Sequence, residues 1–131
     1  THAVAANVMI VLVFAHMFRV AYNRIFRPPR ELHWVSGVVL LLLTLFMAFT
    51  GYLLPWTQLS FWGAKVGTEI MSAIPWIGDD LVFWVRRGHG ISGETLGFFY
   101  AVHVAILPGI VLLFMGAHFF MIRRTGISEP L

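Results

Sequence analysis

Four of the six histidines fall into two matched pairs. His2 and His16 stand 14 positions apart in one apolar segment, and His103 and His118 stand 15 apart in another. At about 100° and 1.5 Å per helical residue, either interval returns the second imidazole to nearly the same helix face, roughly 21–22 Å along the axis. Neutral imidazole is a good axial ligand for haem iron. Two opposed imidazoles leave the iron no open position, so such a centre passes electrons rather than binding substrate. A lone histidine in an apolar helix has an ordinary alternative, a hydrogen bond to a neighbouring helix. Four at matched intervals point instead to two stacked cofactor positions, because an ionisable side chain inside a membrane span is costly and marks a site. His33 and His89 lack partners at matched depth and read as solvated or capping residues.

The elements that must position these histidines are membrane spans. Of 131 residues 59% are hydrophobic and 11% charged, with mean hydropathy +0.82. A chain this short cannot hide so much apolar surface in its own core, so lipid is the solvent for much of it. Apolar runs at about 3–22, 34–54 and 96–122 are each long enough for a hydrocarbon core of about 30 Å. Arg19, Arg24, Arg27 and Arg30 close the first run, and Arg123 and Arg124 close the third, so six of the nine basic residues fall on one side. The positive-inside rule makes that side the inner one. The first and third spans then run in parallel, with His2 level with His103 near the outer face and His16 level with His118 near the inner face.

The remaining features are subordinate to this frame. The net charge of +3 is scattered and forms no basic stripe, which excludes nucleic-acid binding. Cysteine is absent, which excludes disulfides, thiolate metal sites and covalent haem attachment within this stretch. No catalytic triad or metal cluster is evident. The chain opens Thr1-His2-Ala3 without a secretory-type leader. A ligand at position 2 would be poorly held at a fraying helix start, so a preceding segment is expected. Residues 55–93 form an outer loop rich in Trp and Pro. Leu59, Trp62, Val66 and Ile70 predict an amphipathic helix closed by Pro75, and Asp79 or Asp80 is expected to cap a second through Leu81–Val85. Both suit the membrane–water interface. Gly37 and Gly51 repeat the 14-residue interval on the middle span and are candidate contacts for a flat macrocycle, against the alternative of ordinary small-residue helix packing. Pro108 is expected to kink the third span and to bear on its 15-residue interval. Arg19 and Arg123 are candidate partners for haem propionates, whereas Arg24, Arg27, Arg30 and Arg124 read as topology charges.

Several segments in fixed order carry a family likeness: His2–His16 followed by Met17-Phe18-Arg19-Val20; Arg27-Pro28-Pro29-Arg30-Glu31-Leu32; Thr50-Gly51-Tyr52-Leu53-Leu54-Pro55-Trp56; Phe61-Trp62-Gly63-Ala64-Lys65-Val66; Ser72-Ala73-Ile74-Pro75; and Gly126-Ile127-Ser128. Together they cover almost the whole chain. It resembles the N-terminal, haem-bearing half of cytochrome b and cytochrome b6, the membrane core of quinol-oxidising bc1 and b6f complexes. The resemblance implies an all-α membrane protein, part of a four-helix haem-binding bundle with three of its spans present and the first lacking. It implies two haem b, the outer on His2 and His103 and the inner on His16 and His118. An additional covalently attached haem c would lie outside this stretch. The interval on the last span and the ending Gly126–Leu131 look like the b6 type, and Ser60-Phe61-Trp62-Gly63-Ala64 looks like the bc1 type.

By position, Phe49, Tyr52, Trp62, Gly63 and Ala64 would line this chain's part of an outer quinol pocket. The residues alone read as aromatic interface anchors with a tight helix contact at Gly63. Lys65 and Gly67 depart from many bc1 relatives, so quinone preference is not carried over. The likeness further implies electron transfer from quinol oxidation outside to quinone reduction inside, coupled to proton translocation. The implied partners are quinol and quinone, a Rieske iron–sulfur protein, a c-type cytochrome, the remainder of cytochrome b, the lipid bilayer of an energy-transducing membrane and a second copy of the complex. Two rivals stand beside it. One is a haem b anchor subunit of another dehydrogenase or hydrogenase, which would share the histidines without the Gly51–Trp56 and Trp62–Val66 motifs. The other is a non-redox membrane transporter whose histidines bind protons or pack.

Overall fold

The computed structural model describes residues 1–127, and Ser128 with the rest of the expected b6-like ending lies outside the described residues. Every regular element among the described residues is helical. Three helical runs are long and apolar enough to cross a membrane: His2–Tyr22, Glu31–Leu53 and Gly93–Thr125. The bounds lie within four residues of those read from hydropathy. The chain is an all-α, multi-pass membrane protein.

By its contacts the chain divides into two compact units, Thr1–Phe46 with the segment from Pro108 onward, and Met47–Leu107. The first holds α1 (His2–Tyr22), most of α2 (Glu31–Leu53) and most of α6 (Leu107–Thr125). No residue of α1 is buried. Its Val4, Val11, Leu12 and Phe18 are all more than 60% exposed. An apolar helix with no buried face is covered by lipid or by other helices, not by a water-excluding core of its own.

The second unit packs the end of α2 against α3 (Gln58–Ser72), α4 (Gly78–Arg86) and α5 (Gly93–Ala101). Leu53, Ala64, Val85 and Phe99 form its core. Thr57 caps α3 by accepting from the Ser60 amide at 3.2 Å, and Ser92 with Thr95 forms a capping box on α5. Arg86 ties the short helices together. Its guanidinium donates to Thr68 Oγ1 at 2.8 Å and to the Lys65 carbonyl at 3.2 Å, while its own carbonyl accepts from Thr95 Oγ1 at 2.7 Å. α3 starts and ends as the Leu59–Ile70 periodicity predicts. The expected cap of α4 is corrected: Ile77 is the N-cap, and Asp79 and Asp80 lie inside the first turn. There they complement the helix dipole rather than cap amides. Gly78 sets this start, since a Cβ on it would run into the Ser72 backbone.

Between α5 and α6 the backbone makes a π-helical turn, Val102–Ile106, in which the Leu107 amide bonds to the Val102 carbonyl. A π turn takes in one residue more than an α turn and is common at functional sites. His103 lies within it, so the 15-residue interval to His118 contains one such extra residue. Pro108, which lacks an amide proton, follows directly.

Candidate functional site

In the first unit, α1, α2 and α6 enclose a cavity of about 340 Å³, within the usual range for small-molecule and cofactor sites of about 300–1,000 Å³. His16 and His118, paired in the sequence, both line it. So do Arg19 and Gly37, with Met17, Val20, Phe26, Trp34 and Ile122 supplying an apolar wall. Helical period explains the grouping. Arg19 follows His16 by three residues and stays on its face of α1. His118 Nδ1 lies 2.7 Å from Ser36 Oγ, one residue before Gly37 on α2.

The second unit repeats this local arrangement around His103. Its Nδ1 lies 3.0 Å from Thr50 Oγ1, one residue before Gly51. The two glycines are not equivalent. A Cβ on Gly51 would stand 2.6 Å from His103 Cε1 and 3.3 Å from both ring nitrogens, so the imidazole itself occupies the space that glycine leaves. At Gly37 the nearest atoms would be His118 Cε1 at 3.7 Å and Met17 Sδ at 3.8 Å, ordinary van der Waals contact. His2 begins α1 in the first unit and is exposed, whereas His103 belongs to the second unit.

Two site features departed from expectation. His33 is not a solvated side chain. It lines the same cavity as His16 and His118, its Nε2 bonds Thr125 Oγ1 at 3.0 Å, and its Nδ1 is buried without a hydrogen-bond partner. Arg30, read as a topology charge, also lines the cavity, while Arg123 is exposed on the last turn of α6. His89 is exposed against the Phe83 ring, as expected. Ser36 was not singled out from the sequence, and Thr50 entered only within the Thr50–Trp56 motif. Their signal was present, since Ser36-Gly37 and Thr50-Gly51 repeat a hydroxyl–glycine pair at 14 residues.

Of the quinol-pocket candidates, Tyr52 and Gly63 meet. A Cβ on Gly63 would lie 3.4 Å from the Tyr52 ring, and Ser60 Oγ donates to the Tyr52 carbonyl at 2.8 Å. Phe49 packs edge-on to Phe99 and fills the space beside Gly67. Trp62 is half exposed, with Lys65 over its ring. Ala64 is fully buried in the core beside Leu53. Among the described residues no group of three or more His, Cys, Asp or Glu side chains could hold a bare metal ion. A planar cofactor held by paired imidazoles needs no such cluster, and His16, His118 and the apolar wall beside them are donors and surroundings of the kind such a group takes.

Apolar spans carrying imidazoles beside glycine define a class: multi-pass helical membrane proteins with histidines set among their spans. The comparisons narrow it. The family model described as "Cytochrome b(N-terminal)/b6/petB" matches residues 7–131. The chain is 47% identical over 130 residues to cytochrome b6 of Heliomicrobium gestii, covering 99% of this chain and 61% of that protein. It is 45% identical over 130 residues to cytochrome b6 of Gloeobacter violaceus, covering 99% of this chain and 60% of that protein. It is 47% identical over 130 residues to the cytochrome bc complex cytochrome b subunit of Chlorobaculum thiosulfatiphilum, covering 99% of this chain and 30% of that protein. The chain belongs to the cytochrome b N-terminal/b6 family, and it spans about 60% of the length of the cytochrome b6 relatives it matches.

Proposed function

We propose that this chain is the di-haem electron-transfer part of a quinol:cytochrome c or plastocyanin-type oxidoreductase in an energy-transducing membrane. The observation that carries the reading is the cavity where His16 and His118 face one space beside Gly37 and Arg19. His16 and His118 would hold the inner haem b, and His2 and His103 the outer one. Haem bound by two imidazoles supplies one-electron transfer without an open coordination site.

The chain's own residues do the rest. α1 and α6 present the inner imidazoles, and Arg19 offers a propionate a guanidinium fork at the inner boundary. Met17, Val20 and Ile122 would give the cofactor an apolar wall. On the outer side, Phe49, Tyr52, Trp62 and Gly63 at the α2–α3 junction are this chain's share of a quinol pocket, with Ala64 behind them in the core. Quinol oxidation there and quinone reduction near the opposite face would release protons outside and take them up inside. The reading also calls for a Rieske-type protein, a c-type cytochrome, the remaining part of cytochrome b and a second copy of the complex. Adding quinol to the oxidised complex in its membranes should reduce its b-type absorbance, and a substituted Gly63→Leu complex should respond at least tenfold more slowly. A b-type signal that quinol leaves oxidised would favour the anchor subunit of another dehydrogenase.

A further inference from the structure

The hydroxyls of Ser36 and Thr50 each make two short contacts with only one proton. Ser36 Oγ lies 2.9 Å from the His33 carbonyl and 2.7 Å from His118 Nδ1. Thr50 Oγ1 lies 3.0 Å from the Met47 carbonyl and 3.0 Å from His103 Nδ1. A carbonyl oxygen accepts and never donates, so the hydroxyl proton must point to the carbonyl three residues back. Toward the imidazole the hydroxyl oxygen therefore accepts, and Nδ1 carries the ring proton. The lone pair of each ring is then on Nε2. Both residues are nearly or fully buried, Ser36 at 9% and Thr50 at 0% exposure, so water does not compete for either contact.

From this we infer that Ser36 and Thr50 are positioning residues that fix the ligating tautomer and ring plane of His118 and His103. The inference rests on the haem reading above and adds a part to it. α2 supplies no iron ligand, yet its hydroxyl–glycine repeat serves each level in turn. The hydroxyl holds Nδ1 at each level, and at His103 the following glycine, Gly51, also leaves room for the ring. A histidine ligand whose other nitrogen is hydrogen-bonded is oriented and made more basic, and loss of such a partner commonly costs about 10–100-fold in metal affinity. More basic ligands favour ferric over ferrous iron. Removing the acceptor should weaken that preference on the order of tenfold, which is about 59 mV upward for a one-electron couple.

The test uses the intact complex carrying Thr50→Val, Thr50→Ser, Ser36→Ala or Ser36→Thr. It reads haem b content by pyridine haemochrome, the two midpoint potentials by potentiometric titration, and the low-spin ferric g values by electron paramagnetic resonance. Thr50→Val should raise the potential of the His103 centre or lose that haem alone. Ser36→Ala should do the same to the His118 centre alone. Thr50→Ser and Ser36→Thr should keep the original potentials and g values. Unchanged potentials and g values in Thr50→Val and Ser36→Ala, with full haem, would overturn the inference. So would a Thr50→Ser shift as large as that of Thr50→Val, or failure of both Thr50 variants to assemble, since either would make the role one of volume. An unsubstituted complex with no haem b would sink the haem reading itself.

Discussion

Alanine at Gly51 and alanine at Gly37 should have opposite consequences, although both glycines sit beside a paired histidine on one helix. At Gly51 the new Cβ would be 2.6 Å from His103 Cε1. Carbon pairs settle at about 3.5–4.0 Å, so the ring must move by roughly 1 Å or more. Thr50 Oγ1 holds the ring from the neighbouring position at 3.0 Å, which leaves it little freedom to comply. Overpacking of this kind costs about 1–3 kcal/mol, while alanine regains up to about 1 kcal/mol of helix propensity over glycine. The net at Gly51 is a loss of about 0–2 kcal/mol, together with a displaced ligand. At Gly37 the Cβ meets His118 at 3.7 Å and needs no displacement, so the propensity gain of up to about 1 kcal/mol stands alone. Potentiometric titration of b-type absorbance in the isolated complex separates the two centres. Gly51→Ala should diminish or shift the outer one, and Gly37→Ala should leave the inner one intact. Equal losses in both variants would refute the reasoning. They would mean that the glycines make room for the macrocycle at each level and not for the His103 ring.

Two further outcomes follow from the geometry. Arg86→Met should lower the thermal midpoint of the complex by leaving Thr68 Oγ1 and the Lys65 carbonyl short of a donor, at a cost of about 1–3 kcal/mol, read by haem-release temperature. Most of that loss should persist in high salt, because the Glu69 carboxylate is half exposed and 3.7 Å away and contributes little. Arg19→Gln should shift the midpoint potential of the inner centre, whereas Arg123→Gln should not, since Arg19 lines the cavity and Arg123 does not.

Much of this fold was legible because a membrane span is a question of length and hydropathy. The spans were read to within a turn, and the 3–4 spacing of Leu59, Trp62, Val66 and Ile70 located α3. His16 and His118, which line one cavity, could be singled out because the helical period is constant. What escaped depended on hydrogen-bond register. The π turn at His103 leaves no trace in hydrophobic periodicity, although the 15-residue interval and Pro108 marked its place. Asp79 and Asp80 have good capping side chains, but the close approach of Gly78 to the Ser72 backbone starts α4 before them. Arg30 resembled one more topology charge because its neighbours Arg24 and Arg27 are ordinary ones. Ser36 and Thr50 were given no role of their own because hydroxyls on a helix commonly bond back to their own helix. Here each does that and holds an imidazole as well.

The central claim is that two imidazole pairs in this chain each hold one haem. The most direct measurement counts haem b per chain in the purified complex and in its His118→Ala and His103→Ala forms, by pyridine haemochrome with the two centres resolved potentiometrically. The account predicts two haems in the unsubstituted complex, loss of the inner centre alone in His118→Ala and loss of the outer centre alone in His103→Ala. No haem b in the unsubstituted complex, or loss of the inner centre from His103→Ala with the outer one retained, would contradict it.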